Sequence, residues 1–191
     1  VDRDDLIDGG ALHFYNTVKE IKKLSPNVTI EILTPDFKKK NDYLKIIKRC
    51  KINVFNHNME TVKKLYKSVR PGADYSQSLL ILKKIKQNRS DLFTKSGIMI
   101  GLGEKLSDIK ELLHDLRRAN VDFLTIGQYL RPSKDHFPVL EYHSINYFDY
   151  LKHIAINMGF KSVTSFPFAR SSYKSEEEYK YLESSRHLNN A

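Results

Sequence analysis

The segment Phe93–Glu104, FTKSGIMIGLGE, contains the residue types and spacing most suggestive of chemistry in this sequence. An apolar run of strand character ends in Gly101-Leu102-Gly103, Glu104 follows, and a helix-patterned segment comes next. Glycines in such a turn can adopt positive φ and let a ligand approach the backbone, and Glu104 would point an acceptor into the opening. The alternative is a plain strand–turn–helix connection with helix-start chemistry. The pattern is neither a dinucleotide-binding G-x-G-x-x-G nor a P-loop, which ends in Gly-Lys-Ser/Thr.

Polar side chains follow every predicted strand, at the end where parallel α/β folds bind their ligands. These residues are Asp2, Arg3, Asp4 and Asp5 after Val1; Asp36 after Leu33; Asn56, His57, Asn58 and Glu60 after Phe55; Glu104 after a central strand that also carries Lys95; and Gln128, Tyr129 and Arg131 after Ile126. The carboxyl ends of parallel strands meet at one edge of a sheet. The sequence therefore predicts a site assembled from these loops.

Strand-length and helix-length patterns alternate along the chain. The predicted strands are Val28–Leu33, Ile52–Phe55, Gly97–Ile100, Val121–Ile126 and Phe160–Thr164, and the predicted helices are Ala11–Leu24, Asp42–Cys50, Glu60–Val69, Tyr75–Gln87, the segment after Glu104, and Ile145–Met158. Helix-length connections predict parallel strands with right-handed crossovers, the first four in that spatial order. The strands are too few for a closed (βα)₈ barrel, so we expect an α/β fold with an open or partial barrel. From Ser175 the tail is charged and helix-prone, with no obvious apolar partner face.

The length and composition predict one domain of ordinary globular character. The chain has 191 residues, of which 40% are hydrophobic and 29% charged. No apolar run approaches the ~20 residues needed to span a bilayer. The first residues, VDRDDLIDGG, are acidic and polar, unlike a targeting segment, and lack an initiator methionine. We therefore expect that the chain was cut from something longer.

The net charge of +9, from 32 Lys and Arg against 23 Asp and Glu, favours acidic partners. The lysines are spread over helix faces, however, so a solvated surface is the favoured interpretation. The single Cys50 excludes an internal disulfide framework and ends an apolar helix pattern, which predicts a buried structural thiol. One thiol cannot hold an iron–sulfur cluster or a structural zinc ion.

The remaining candidates have simpler explanations. His57 has no second His or Cys at zinc-ligand spacing, so we expect a hydrogen-bonded structural histidine. His136 and His143 belong to the proline-containing loop and are expected to be exposed to solvent. Ser171 and Ser172 lack the Gly-x-Ser-x-Gly context of a nucleophile elbow, and composition predicts only a turn or a helix cap.

Several motifs nevertheless match one family in order. VDRDDL, GGA, PDF, VFNHN-x-ETV, VRPGADY, TKSG-x-M-x-GLGE, GQYL-x-PS and RSSY together resemble the C-terminal two-thirds of the lipoyl synthases, which are radical SAM enzymes with a partial (βα) barrel. The resemblance implies insertion of sulfur at C6 and C8 of a protein-bound octanoyl group. It also implies S-adenosylmethionine and two 4Fe–4S clusters, one for reductive cleavage of S-adenosylmethionine and an auxiliary one consumed as the sulfur source. Residues 1–165 would then be the partial barrel, from about the end of its second strand, and residues 166–191 the RSSY segment with a charged tail.

The resemblance assigns roles to particular residues. The segment Gly97 to Glu104 resembles the radical SAM strand motif G-x-I-x-G-x-x-E, with Met99 in place of isoleucine. Ser172 matches the serine that binds an iron of the auxiliary cluster, and Arg170 would be the neighbouring charge. Contacts to S-adenosylmethionine or substrate are implied for Asn56, Asn58, Glu60, Arg70, Gly101, Gly103, Glu104 and Gln128.

Two departures from the family pattern stand out. Phe166 replaces the usual small residue before the proline near RSSY, which affects packing beside Ser172. Both cysteine triplets of the family would lie upstream of Val1, so this piece alone is expected to be inactive. A cluster-free barrel enzyme and a non-catalytic binding module remain as alternatives, and the sequence upstream of Val1 would discriminate between them.

The resemblance also implies partners and a compartment. The partners are octanoylated lipoyl carrier domains of 2-oxoacid dehydrogenase complexes or the glycine cleavage H protein, with ferredoxin or flavodoxin as reductant. Neither nucleic acid nor a membrane is expected as a partner. The bacterial cytoplasm is favoured over a mitochondrion or plastid.

Overall fold

A computed structural model describes residues 3, 5–38, 40, 42–173, 176, 179–180 and 183–184. Its strands form one five-stranded sheet in the order of the chain, and every neighbouring pair is parallel. The strands are β1 Glu31–Leu33, β2 Val54–Asn56, β3 Phe93–Ile100, β4 Phe123–Gln128 and β5 Ser162–Ser165. The predicted α/β class, the parallel direction and the strand order are confirmed. A parallel sheet that stays open among these residues is consistent with a partial barrel.

Helices connect the strands and supply about half of the residues in the main core. They are α1 Ala11–Leu24, α2 Tyr43–Ile47, a 3₁₀ turn Lys63–Leu65 that leads into α3 Tyr66–Val69, α4 Tyr75–Asn88, α5 Leu106–Arg118 and α6 Ile145–Asn157. Alternate side chains of a strand point to opposite faces of the sheet. Ile98 and Ile100 of β3 accordingly join the helix-covered core, together with Leu124 and Ile126 of β4.

The other face of the sheet holds a second, smaller apolar cluster. Phe93 of β3 stacks on Phe123 of β4 with ring centroids 4.9 Å apart, and Val54 completes the layer. Tyr179 covers this layer edge-on, 5.9 Å from Phe93, and donates its hydroxyl hydrogen to Glu183 at 2.7 Å. The charged tail therefore does have an apolar partner, contrary to the sequence-based expectation.

The helix that follows the glycine-rich turn begins and packs as its sequence predicts. The Asp108 carboxylate, in the first turn of α5, accepts the backbone N–H of Lys105 at 2.9 Å. An acidic group there also complements the positive end of the helix dipole. The buried face consists of Ile109, Leu112, Leu113 and Leu116. This face fixes α5 against the sheet and so fixes the turn that precedes it.

The predicted helix Glu60–Val69 is wrong in its first half. Glu60 has a φ of 65° and pairs with Ile98 in a parallel bridge. Its N–H donates to the Gly97 carbonyl at 3.0 Å, and its own carbonyl accepts from Met99 at 2.9 Å. Backbone pairing with β3 thus replaces helical hydrogen bonds at this position. Val62 and Tyr66 of this segment are nevertheless buried in the core, as expected for the apolar positions of an amphipathic segment.

Other element boundaries differ by a few residues. β1 is shorter than the predicted Val28–Leu33, α2 is shorter than the predicted Asp42–Cys50, and β4 continues through Gly127 to Gln128. The predictions for Val1, Asp2 and Asp4 lie outside the described residues. Within the described part of the chain, no helix is both long enough and apolar enough to cross a bilayer.

Candidate functional site

A cavity of about 270 Å³ opens at the carboxyl ends of β3 and β4. Alternate residues of the two strands, Gly97 and Met99 of β3 and Thr125 and Gly127 of β4, form its floor. Its walls come from the loop after β2 and from the segment after β5: Asn58, Glu60, Leu130, Ala169, Arg170 and Ser171. Of the predicted loop residues, Asn58, Glu60 and Gln128 line this cavity, whereas Asp36, Asn56, Glu104, Tyr129 and Arg131 do not.

The glycine-rich turn is held by its own glutamate. Gly101 and Gly103 have φ of 100° and 94°, as the turn interpretation requires. The Glu104 carboxylate is 2% exposed and accepts the N–H groups of Gly101 at 2.7 Å and Leu102 at 2.9 Å. Glu104 therefore stabilises the turn and does not point a free acceptor into the cavity, contrary to the expectation from the motif.

Gln128 acts as a clamp between the strand ends. Its side-chain nitrogen donates to the carbonyls of Ile100 at 3.1 Å and Glu141 at 3.0 Å. Its side-chain oxygen accepts the backbone N–H of His143 at 3.1 Å. Gly101 must be glycine here, because an added Cβ would collide with both the Gln128 amide and the Glu141 carbonyl. The family resemblance implies that Gln128 contacts a ligand, but in the structure both the nitrogen and the oxygen of its side-chain amide form hydrogen bonds within the protein.

The cavity wall includes buried polar atoms without a partner. Asn58 Oδ1 and Thr125 Oγ1 have no hydrogen-bond partner among the described residues. An added Cβ on Gly97 would lie 2.8 Å from Asn58 Oδ1, so only glycine leaves this approach open. The half-buried Glu60 carboxylate likewise makes no hydrogen bond or ion pair with a described residue. Buried polar atoms are normally satisfied, so this wall suits a polar ligand that supplies the missing bonds.

A buried ion network supports the Asn56-His57-Asn58 loop from behind. His57 Nδ1 lies 2.9 Å from the Thr34 carbonyl oxygen, and His57 Nε2 lies 2.9 Å from Asp36 Oδ1. Arg70 donates to Asp36 at 3.3 Å and to the Asn58 carbonyl at 3.4 Å. Burial raises the pKa of Asp36, but hydrogen bonds from His57 and Ser78 and the charges of His57 and Arg70 outweigh it and hold the pKa below its usual value. His57 is therefore structural, as predicted, and Arg70 positions Asn58 without lining the cavity.

Asn56 occupies a different layer of the interior. Its side-chain nitrogen donates to Glu31 at 2.8 Å, and the ammonium group of Lys95 lies 3.4 Å from the same carboxylate. Lys95 is two residues before Gly97 on β3 and therefore points to the same face of the sheet. The structure brings Asn58, Glu60 and Gln128 to the cavity lining and places Asn56 in this neighbouring polar layer.

The RSSY segment continues from β5 across the end of β4. The Phe166 N–H donates to the Ile126 carbonyl at 3.2 Å, and the Gln128 N–H donates to the Pro167 carbonyl at 3.0 Å. An added Cβ on Gly127 would lie 2.7 Å from the Ala169 carbonyl oxygen, so the crossing requires glycine. Phe166, the departure from the family pattern, packs edge-on against Tyr173 with centroids 4.9 Å apart.

The two serines of this segment differ in position. Arg170 and Ser171 line the cavity, whereas Ser172 is the exposed next residue of the same turn. Composition predicted only a turn, and the turn is confirmed. The placement of the turn at the strand ends follows from the backbone hydrogen bonds of Phe166 and Pro167.

Sequence reasoning missed some residues and misplaced one. Thr125 and Gly127 line the cavity, and alternation along β4 could have identified them because both share the inward face. The His143 side chain, expected at the surface, is only 11% exposed. It stacks on Tyr147 at 4.5 Å, and its Nε2 lies 3.8 Å from Glu104. Its burial arises because the proline-containing loop folds back over the glycine-rich turn.

No cluster of metal-ligating side chains occurs in the described part of the chain. His, Cys, Asp and Glu residues form no group of three or more that could hold a metal ion there. Cys50 is buried, and burial raises the pKa of its thiol to about 11, which confirms a structural thiol. Cys50 therefore supplies no thiolate ligand for an iron–sulfur cluster at this cavity.

Comparisons with known proteins agree with this architecture. The chain is similar to the lipoyl synthase of Pseudoalteromonas translucida (strain TAC 125), with 53% identity over 179 residues, or 93% of this chain and 56% of that protein. The chain thus spans about half the length of this curated relative.

Two solved structures share the fold. A methylornithine synthase superposes with a TM-score of 0.59 at 16% identity, covering 84% of this chain and 54% of that one. A domain of a pyruvate-formate lyase-activating enzyme from Bacteroides vulgatus ATCC 8482 gives a TM-score of 0.57 at 10% identity, covering 80% of this chain and 92% of that one. Residues 2–116, more than half of the sequence, match the Radical SAM superfamily. The chain belongs to the radical SAM superfamily.

Proposed function

We propose that this protein is a lipoyl synthase, which inserts sulfur at C6 and C8 of a protein-bound octanoyl group. The observation that carries the proposal is the RSSY segment, which lies against a radical SAM cavity and lines it through Arg170 and Ser171. The 53% identity to a curated lipoyl synthase supports the same reaction. A generic radical SAM barrel would explain the cavity but not a serine-containing segment across its mouth.

The cavity wall would hold S-adenosylmethionine. Asn58 Oδ1 and Thr125 Oγ1 are acceptors without a partner among the described residues, and the ammonium and ribose groups of this ligand are donors. The unpaired Glu60 carboxylate would attract the ligand's positive charges, and Gly97 leaves room for close approach. Glu104 and Gln128 act indirectly, since they fix the turn and the strand ends that shape the wall. When bound, S-adenosylmethionine and a 4Fe–4S cluster supply an organic radical for hydrogen abstraction.

Ser172 would be the protein's oxygen ligand to an iron of the auxiliary cluster. A hydroxyl is a harder ligand than a thiolate and binds iron–sulfur clusters less strongly, which suits a cluster that gives up its sulfur. Ser172 is exposed on a turn at the cavity mouth, so an added group could reach it without rearrangement of the core. The cysteine ligands of both clusters would lie outside the described residues.

The substrate would be an octanoylated lipoyl carrier domain. Such a domain presents a lysine-linked acyl chain, which needs an open mouth at the strand ends rather than a closed pocket. The net charge of +9 would steer a domain with an acidic surface toward this protein. The reductant would be a ferredoxin or flavodoxin, and the bacterial cytoplasm is the compartment we propose.

Ser172→Ala in the full-length protein tests the assignment. The substitution removes one oxygen ligand on an exposed turn and leaves Asn58, Thr125 and Glu60 untouched. We expect 5′-deoxyadenosine to form at the wild-type level while the lipoyl product falls strongly, because sulfur delivery fails and radical generation does not. Both products are measured by mass spectrometry at matched cluster content.

Ser171→Ala is the matched control. It removes the neighbouring hydroxyl from the cavity wall and should have a milder effect on the lipoyl product. Equal lipoyl yields from Ser172→Ala and wild type would refute the ligand role of Ser172. A larger loss with Ser171→Ala would transfer the role to the residue that lines the cavity.

A further inference from the structure

A second cavity, of about 310 Å³, lies between α1 and the segment after α2. We call it the basic pocket, because its lining includes five cationic residues: Lys19, Lys22, Lys23, Arg49 and Lys51. Among the described residues, no Asp or Glu lines it. The first cavity lies at the carboxyl ends of the strands. The basic pocket lies where α1 and α2 return to the amino ends, so it is at the opposite end of the sheet.

Two of the five cationic side chains of the basic pocket already have hydrogen-bond or ion-pair partners in the protein. The Lys22 ammonium group donates to the carbonyls of Pro26 at 3.0 Å and Val28 at 2.6 Å, and Lys23 pairs with Glu20 at 2.7 Å. The other three cationic side chains, Lys19, Arg49 and Lys51, make no ion pair or hydrogen bond with a described residue. Their charges repel one another in a concave site, and a multivalent anion would relieve this repulsion.

Helix electrostatics does not account for the arrangement. Lys22 and Lys23 lie in the last turn of α1, where a cation stabilises the negative end of the helix dipole. Arg49 and Lys51 belong to the loop between α2 and β2, outside any helix. They converge with Lys19 only through the packing of α1 against α2, so the cluster is a product of tertiary structure.

The floor of the basic pocket is apolar. Tyr15, Val18 and Cys50 form it, and the last two are buried. The volume is at the lower end of the range for small-molecule sites, roughly 300–1,000 Å³. Such a site suits a compact ligand with a ring or short aliphatic body and a head that carries two negative charges. A phosphate monoester meets this description, because its charge approaches −2 at neutral pH and it offers three acceptor oxygens to lysine and arginine donors.

We infer that the basic pocket binds a small phosphate monoester, with the phosphate between Lys19, Arg49 and Lys51 and the organic group on Tyr15 and Val18. The site is separate from the S-adenosylmethionine site proposed above and does not depend on it. A ligand there would bridge α1 and the segment after α2, and so would stabilise the packing of the two helices.

Isothermal titration calorimetry with phenyl phosphate and inorganic phosphate tests the inference on the full-length protein. We expect saturable binding of one phenyl phosphate per chain, with inorganic phosphate weaker because it lacks an apolar body. The double variant Arg49→Gln/Lys51→Gln should weaken phenyl phosphate binding about tenfold or more, through the loss of charge-assisted hydrogen bonds. Tyr15→Ala should remove the preference for phenyl phosphate over inorganic phosphate.

Lys67→Gln is the control, because Lys67 is an exposed lysine of α3 that lies outside the basic pocket and pairs with no residue that the structure describes. It should bind phenyl phosphate as the wild type does, and equal melting temperatures would show that all variants remain folded. Equal affinity in the double variant and wild type would overturn the inference, as would the absence of saturable binding at millimolar phenyl phosphate. Binding to anionic phospholipid vesicles without binding to phenyl phosphate would also overturn it.

Discussion

Replacing Glu104 with glutamine tests the role of the glycine-rich turn most directly. The carboxylate is 2% exposed and accepts two backbone N–H groups, from Gly101 at 2.7 Å and from Leu102 at 2.9 Å. A glutamine amide has one oxygen in place of two, so it can accept only one of these bonds. Its NH₂ group would face the second N–H, leaving a buried donor opposite a donor.

The magnitude follows from the balance of three effects. Losing one hydrogen bond to a charged group and stranding its donor costs roughly 1.5–3 kcal/mol. Converting the other bond from charged to neutral costs about 1 kcal/mol. A buried neutral amide has a smaller desolvation cost than a buried carboxylate, and this difference offsets about 1–2 kcal/mol of the loss in stability. We therefore expect Glu104→Gln to lower the free energy of unfolding by about 2 kcal/mol.

Urea unfolding followed by circular dichroism measures this change, with an unchanged m value as the sign that the folded state stays compact. Glu111→Gln is the matched control, since Glu111 is an exposed residue of α5 and its substitution should stay within about 0.5 kcal/mol of wild type. If Glu104→Gln were as stable as this control, the turn would not depend on the carboxylate, and the reasoning would be refuted.

Three further predictions concern pH, the tail and association. Burial raises the pKa of Asp122, but hydrogen bonds from Lys161 and Lys86 outweigh it and hold the pKa below its usual value. The stability that Asp122 contributes is therefore lost as pH falls through its folded-state pKa. Asp122→Asn should flatten the dependence of unfolding free energy on pH, measured between roughly pH 5 and pH 2. Tyr179→Phe should lower the free energy of unfolding in urea by roughly 1–2 kcal/mol, because it removes the hydrogen bonds from Asn53 at 2.9 Å and to Glu183 at 2.7 Å. Tyr179→Ala should cost clearly more, whereas equal costs would mean that the ring adds nothing. In stopped-flow measurements, the association rate of the full-length protein with an acidic carrier domain should fall as the salt concentration rises. The reason is that electrostatic attraction is screened over about 10 Å at 0.1 M salt. An association rate that does not depend on salt would mean that the lysines are only a solvated surface.

The order and direction of the strands could be predicted from the sequence alone. Parallel strands need long crossover connections, which are usually helices, so helix-length segments between strand-length segments predict parallel pairing. The five-stranded parallel sheet has this arrangement. Local signals also set the bounds of α1 correctly, because Gly10 precedes its first residue and Pro26 follows its end. Periodicity likewise predicted the helix after Glu104, which is α5.

Local patterns failed where backbone pairing between distant segments decides the conformation. The amphipathic spacing after Glu60 predicts a helix from that residue, yet Glu60 pairs with β3 and adopts positive φ. Tyr179 follows a charged run with no visible partner, and the partner is a pair of phenylalanines on β3 and β4. Neither contact could be predicted from the residues that neighbour Glu60 or Tyr179 in the sequence.

The candidate site shows the same division. The sequence identified Asn58, Glu60 and the glycine-rich turn as polar or permissive residues at strand ends, and the structure places Asn58 and Glu60 in the lining of the cavity. The sequence could not show that the polar side-chain atoms of Glu104 and Gln128 form hydrogen bonds with backbone groups of the turn and of the loop after β4. A side chain's chemistry is local, but whether its donors and acceptors are satisfied depends on which distant carbonyl or N–H the fold brings within 3 Å. Sequence therefore determined which groups are present, and only tertiary structure decided which remain unsatisfied and can bind a ligand.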